Sequence, residues 1–199
     1  MTERMAPRAQ VGQVSSMRPI DLLMKEHRLI EHVLDALTEY ADQLDAGVDV
    51  PVDDLARFVT WLRGYADATH HGKEEDVLFV RMVSAGMPGD DGPIGLMLEQ
   101  HEEGRRLVGV LFEAAKSEAP WSQDERRRVI RAAHDYAALL RGHIREEDET
   151  LYPMALTRVP GAAWDTIAQQ FDELEAAGAK ERASLEDLAA DLAARYPRP

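Results

Sequence analysis

From Leu23 onward, apolar residues recur in alternating steps of four and three, the spacing that places them on one face of an α-helix. The first stripe runs Leu23, His27, Ile30, Leu34, Leu37, Ala41 and Leu44, with Asp21 as its expected N-cap and a turn at Gly47–Pro51. A second begins at Asp53 and carries Val59, Leu62, Ala66, His70, Glu74 and Val77. The loop Gly86–Pro93, rich in glycine and proline, precedes a third stripe of Ile94, Met97, His101, Gly104, Val108, Leu111 and Ala115. Ser122-Gln123-Asp124-Glu125 reads as a capping box. It opens a fourth stripe of Val129, Ala132, Tyr136, Leu139, His143, Glu147, Thr150 and Met154, closed by Pro153 and Pro160–Gly161. A fifth segment, 162–195, carries Trp164, Ile167, Phe171, Leu174, Leu185, Leu188 and Leu192, and Gly178 is expected to break or bend it.

No hairpin or parallel-strand pattern interrupts these stripes. Long helices joined by short loops predict an all-α fold, an up-down-up-down four-helix bundle with an extra C-terminal helix. The bundle is expected over 19–157, the helical extension over 161–196, and a flexible tail over 1–18, where Pro7, Gly12, Ser15 and Ser16 cluster. The fifth helix holds no histidine, so it is expected to cover the bundle or a partner subunit.

The stripes contain residues that do not belong in an apolar core. His27, His70, His101 and His143 take positions suited to Leu or Ile, and so do Glu74 and Glu147. They form a repeat. His70 is followed at i+4 by Glu74 and then by Leu78-Phe79; His143 is followed at i+4 by Glu147 and then by Leu151-Tyr152. His27 lies 43 residues before His70, and His101 lies 42 before His143. Residues i and i+4 are about 40° apart around a helix, so each His–Glu pair projects one above the other.

A lone histidine on an apolar stripe is more often a hydrogen-bonded core residue than a ligand. Four in two matched copies, each copy with its glutamate, point to metal. An unpartnered buried carboxylate costs several kcal/mol, a heavy load for a domain stable by only about 5–15 kcal/mol. Cations would neutralise the glutamates and use the imidazole lone pairs. Imidazole and carboxylate without thiolate suit iron, manganese or zinc. The Leu-Phe and Leu-Tyr pairs read as core packing, and so do Tyr65 and Tyr136. His32, His71 and His134 sit off the stripe and read as solvated surface; the acidic runs holding Glu75, Glu146, Asp148 and Glu149 read as a wet face. Asp148, at i+5 from His143, is the competitor to Glu147.

Composition narrows the reading. The 199 residues include no cysteine, which excludes disulfides, thiolate zinc sites and iron–sulfur clusters. A formal charge of −14 argues against nucleic acid or anionic lipid as partner. No run approaches the about 18 apolar residues of a membrane span, and no signal-peptide core is present, so a cytoplasmic protein is the default expectation. No histidine has Glu three positions before it, as ferritin-like sites require. His101-Glu102-Glu103-Gly104-Arg105 ends in Arg where a zinc-protease motif needs a second His.

With these blocks, His70–Phe79 and His143–Pro153 together with His27 and His101, the chain resembles the bacterial type of hemerythrin-like protein, from about Pro19 to Leu156. The resemblance implies two iron ions, Fe2+/Fe3+, in an oxo- or hydroxo-bridged non-haem centre, with Glu74 and Glu147 bridging and the histidines divided between the irons. Which histidines share an iron stays open. Oxygen-carrying hemerythrins have a second histidine one turn after the third-helix His; Arg105 stands there in this chain. Four histidines instead of five would leave iron positions open to O2, NO or peroxide. The expected function is therefore binding of such a ligand in oxidative or nitrosative stress, with peroxide- or NO-consuming activity left open. Iron sensing or storage, an interaction module and reversible oxygen carriage are the alternatives.

Overall fold

In a computed structural model, residues 11–117 and 120–198 are described, with side chains from Pro19 onward. Five helices make the whole of the regular structure among them. α1 spans Val11–Asp45. α2 (52–84) is built from the α-helical Val52–Trp61, the π-helical Leu62–His71 and Glu74–Leu78, and the α-helical Phe79–Ser84. α3 is Gly92–Ala115. α4 (123–158) joins Gln123–Glu146, the π-helical Glu147–Leu151 and Tyr152–Arg158. α5 is Gly161–Arg195.

Four of these form the expected antiparallel bundle. α1 packs on α4, α4 on α3, and α3 on α2, while α5 lies along α1 and contacts α2. The fifth helix thus covers the bundle, closing its α1–α2 side. The ends agree with local sequence where caps exist: the Ser122 hydroxyl accepts from the Glu125 backbone N–H, and the Glu125 carboxylate accepts from the Ser122 backbone N–H. Gly47, Gly86 and Gly92 take positive φ at the turns, a conformation that L side chains resist. Among the described residues no helix is long and apolar enough to cross a membrane.

Three expectations about helix ends are corrected. α1 does not start at an Asp21 cap; it begins at Val11 and includes Pro19, so only residues 1–10 of the expected tail fall outside the described residues. Gly178 does not interrupt α5. One glycine costs a helix only about 1 kcal/mol, and α5 is anchored on either side of it by buried Trp164, Ile167 and Phe171 and by Leu185, Ala189 and Leu192. Pro153 does not close α4, which continues to Arg158. The proline follows directly on a π-helical turn, where the hydrogen-bond register is already shifted and a missing N–H removes little.

The apolar interior divides in two. A larger core gathers Leu34, Leu37, Phe58, Trp61, Leu111 and Leu140 with Leu185 and Leu192 of α5. A smaller one gathers Leu23, Leu78, Met82, Met97, Leu151 and Tyr152 with Trp164 and Phe171 of α5. Between them lies a layer of buried polar residues. The 43- and 42-residue spacings follow from this arrangement, because they bring each upstream histidine to the level of its partner on the neighbouring antiparallel helices.

α5 is fastened at its far end by polar contacts as well as by packing. The Trp61 indole N–H donates to the Leu185 carbonyl at 3.0 Å. Buried Asp54 accepts from the Tyr196 hydroxyl at 2.7 Å and from the Arg195 guanidinium at 3.0 Å. Asp54→Ala is expected to destabilise the fold by about 1–3 kcal/mol, since it strands the buried Tyr196 hydroxyl. Thermal melts check this; a loss below about 0.5 kcal/mol would mean that packing alone holds α5.

Candidate metal centre

The polar layer brings together all six residues singled out in the sequence, and adds a seventh. Two groups of ligand atoms emerge, each with its members within 4.8 Å of one another: His27, His70, Glu74 and Glu147, and His71, His101, His143 and Glu74. The question of which histidines associate is thereby answered in space. His27 and His70 bring their Nε2 atoms to 3.0 Å, and His101 and His143 bring theirs to 3.1 Å. The carboxylates lie between the groups. Glu147 Oε2 is 3.1 Å from His27 Nε2 and 3.2 Å from His143 Nε2. Glu74 Oε2 is 3.6 Å from the Nε2 atoms of both His70 and His101.

Each of the four stripe histidines is oriented from behind. Nδ1 of His27 meets Asp148 at 2.7 Å, that of His70 meets Glu26 at 2.9 Å, that of His101 meets Glu75 at 2.6 Å, and that of His143 meets Gln100 Oε1 at 2.7 Å. An acceptor at Nδ1 fixes the proton there and turns the Nε2 lone pair inward, the outer-shell pattern of metal-binding imidazoles. Asp148, the competitor to Glu147, is therefore a support for His27, braced by Arg28. Glu75 and Glu146, read as wet-face residues, are supports too: Glu75 holds His101, and Glu146 accepts from the amide of Gln100.

His71 corrects the sequence reading. It was expected at the surface but is 4% exposed, its ring stacked on His101 at 3.8 Å between centroids. At about 100° per residue, an α-helix cannot point two adjacent side chains at one centre. The segment Leu62–His71 is π-helical, and its wider turn rotates less per residue, so His70 and His71 both face inward. His32 is exposed, as expected, and His134 stands half-buried at the surface, 3.2 Å from Asp42. Tyr152, expected as plain packing, donates to Glu74 Oε1 at 2.6 Å and places its oxygen 3.2 Å from His27 Nε2. The matching residue of the first copy is Phe79, so the two halves differ here. Arg105 neither enters the layer nor reaches unobstructed into solvent: it bridges Asp67 and Glu75, with Glu102 alongside.

Burial dominates the electrostatics. It drives the His70 pKa well below 6.5 and that of His71 down to about 4, with neighbouring imidazoles adding to both shifts. Burial, then the Glu147 charge, lifts Glu74 well above 4.5. Burial would lift Glu147 too, but His143 and His27 hold it well below its ordinary value. Burial also raises Glu26 to about 7, against the pull of Lys73.

Both ring nitrogens of His71, Glu74 Oε2 and both oxygens of Glu147 are buried without a hydrogen-bond partner. A convergent set of lone pairs with one or two carboxylates is unfavourable without a cation. The donor set is imidazole and carboxylate, so the residues fit divalent iron, manganese or zinc at each of the two groups. A cavity of about 220 Å³, lined by Asp67, Gly104, Arg105 and Tyr136 among others, reaches His71 and His101 from the surface. Gly104 borders it; a Cβ there would stand 3.5 Å from the Tyr136 ring.

A sequence profile of the hemerythrin HHE cation-binding domain matches residues 18–155. Uncharacterized proteins of Mycobacterium tuberculosis and Mycobacterium bovis are 23% identical over 153 residues, covering 77% of this chain and 59% of theirs. The chain thus spans less than two thirds of the length of these relatives. No solved structure matches it significantly.

The raised pKa of Glu74 has a measurable sign. In chelator-treated protein the fold keeps this proton while the unfolded chain loses it near pH 4.5, so wild type loses stability as pH climbs above that value. Glu74→Gln lacks this loss. Its melting temperature relative to wild type is expected to be more favourable at pH 7 than at pH 5. A difference that narrows or reverses with rising pH would mean that Glu74 is ionised in the fold.

Proposed function

The chain belongs to the hemerythrin HHE cation-binding domain family, and on that premise we propose that it is a non-haem di-iron protein acting on O2, NO or peroxide. The reading rests on one observation above all: two groups of inward-facing donors share Glu74, with Glu147 spanning the space between them. His27, His70, Glu74 and Glu147 would hold one iron, and His71, His101, His143 and Glu74 the other. When bound, the pair would supply electrons by cycling between ferrous and ferric states.

The protein's own residues do the rest. The outer acceptors hold the proton on Nδ1 and aim the Nε2 lone pairs of the stripe histidines inward. The apolar cores on either side exclude bulk water, while the cavity at His71 and His101 admits a molecule of two or three atoms. Tyr152, hydrogen-bonded to Glu74, holds a hydroxyl proton inside the site. With His71 counted, the chain offers five imidazoles instead of four, so fewer positions on the metals would be open. Tyr152 is what favours reduction of the bound ligand over reversible carriage, because a proton at hand promotes breakdown of a reduced oxygen species. A role in oxidative or nitrosative stress follows from that chemistry.

Purified aerobically, the protein is expected to carry about two irons per chain. His70→Ala, His71→Ala and His143→Ala should each lose iron, whereas His134→Ala retains it. Metal analysis decides; retention of both irons in His71→Ala would return that residue to a packing role.

After anaerobic reduction, an O2 pulse followed by stopped-flow absorbance should end in a stable ferric spectrum, with peroxide consumed in a parallel assay. Tyr152→Phe should slow the decay by about a hundredfold or more, in the range of a lost proton donor. Recovery of the ferrous state on argon flushing would instead establish reversible carriage.

A further inference from the structure

Four stripe histidines have four different supports, and one of them stands apart. Asp148 behind His27 and Glu75 behind His101 are part-exposed, at 14% and 25%, and each is met by an arginine at the bundle surface. His143 leans on the neutral amide of Gln100. Glu26, behind His70, is 2% exposed, and its other oxygen takes the ammonium of Lys73, which is itself 1% exposed. Lys73 has a second partner, and it lies on α5: Glu175, at 2.7 Å. Glu175 is held in turn by Arg182, one α5 residue pairing with another.

This line runs through the level of the molecule where α5 has little else to grip. Its apolar anchors are Trp164, Ile167 and Phe171 on one core and Leu185, Ala189 and Leu192 on the other. Between Phe171 and Leu185 the helix is polar or small apart from Leu174, which is expected on the apolar stripe but is 46% exposed. A groove of about 350 Å³ separates it from α2 there, bordered by Gly72 and Gly178, whose missing side chains leave the gap open. A Cβ on either glycine would meet nothing within 4 Å. Across this gap the Lys73–Glu175 pair is a polar bridge between α2 and α5, next to the Arg81–Gln170 hydrogen bond of 3.0 Å.

We infer that α5 positions one metal ligand of the two-histidine group through the line Glu175–Lys73–Glu26–His70, so that docking of α5 governs how tightly that group, and not the three-histidine group, holds its metal. The inference rests on the di-iron reading. Glu26 orients His70 and strengthens it as a ligand, as a carboxylate behind a metal-bound imidazole does. Lys73 fixes where Glu26 can sit, because a buried carboxylate follows its buried counter-charge. Glu175 fixes where Lys73 can sit. By reciprocity, metal bound at this group should favour the docked α5.

The test uses the full chain loaded anaerobically with ferrous iron, and follows its extraction by an excess of a coloured ferrous chelator. Wild type is expected to release its two equivalents in two phases. Lys73→Met and Glu175→Gln should accelerate the same phase by about tenfold or more and leave the other unchanged, whereas Gln100→Ala should accelerate the other. Lys73→Met leaves Glu26 buried without its counter-charge and will melt lower, so the double variant Lys73→Met with Glu26→Gln separates positioning from stability. Its metal-free melting temperature should recover while its release stays fast. Release that recovers together with stability, equal acceleration of both phases, or no effect of Glu175→Gln would each overturn the inference. Wild type that binds no iron would instead overturn the di-iron reading and take this inference with it.

Discussion

Placing two carboxylates and five imidazoles at one level of a helical bundle is the constraint around which the rest of this structure is arranged. Glu74 and Glu147 are fully buried, and the histidines around them are 4% exposed or less. Such a layer cannot be packed like the leucines above and below it, so the interior divides into two apolar cores with the polar layer between. The antiparallel bundle makes this workable. Each helix of the bundle contributes one or more candidate ligands at the same height, and each of the four stripe histidines is turned inward by a partner on another helix. Proton placement, side-chain direction and burial are all settled by the same contacts.

The helices are deformed where the candidate ligands are densest. His70 and His71 end one π-helical stretch, Glu74 begins another, and Glu147 begins a third. The wider turn carries an energetic cost in hydrogen-bond geometry, and it is found in the two helices that supply a His–Glu pair. α1 and α3, which supply one histidine each, remain α-helical there. The deformation gives the second helix three candidate ligands within five residues. It also lets α4 continue past Pro153 to Arg158, with Tyr152 directly after the π-helical turn.

α5 ties the two cores together. Its apolar residues fall into two sets that match the two cores, and its polar middle faces the polar layer. The helix is therefore in register with the candidate metal centre, to which it adds no residue. The buried Lys73 is the element that makes this register felt inside, since it joins a carboxylate of α5 to the support of His70. The other histidine supports face outward and have no such connection.

Much of this was legible in one dimension. Alternating three–four spacing fixed the number and order of the helices, because a helix must bury a continuous face. The matched spacing of His27, His70, His101 and His143, with Glu74 and Glu147 at i+4, marked the layer, because polar residues on an apolar stripe need a partner of their own. What tertiary structure decided were the departures from the regular helix and the contacts between distant segments. His71 lies about 100° from His70 on an ideal helix, and nothing local announces that the turn will widen to bring it in. Tyr152 reads as the aromatic half of a packing pair until its hydroxyl meets Glu74 from 78 residues away. Asp148, Glu75 and Glu26 look like surface acids because a support acts from behind a ligand, on a face that periodicity assigns to solvent. Lys73 looks the same, and is buried only because α5 returns from a hundred residues downstream to cover it. Periodicity specifies which residues a helix turns inward; only the packed neighbours determine what those residues, and the ones beside them, will touch.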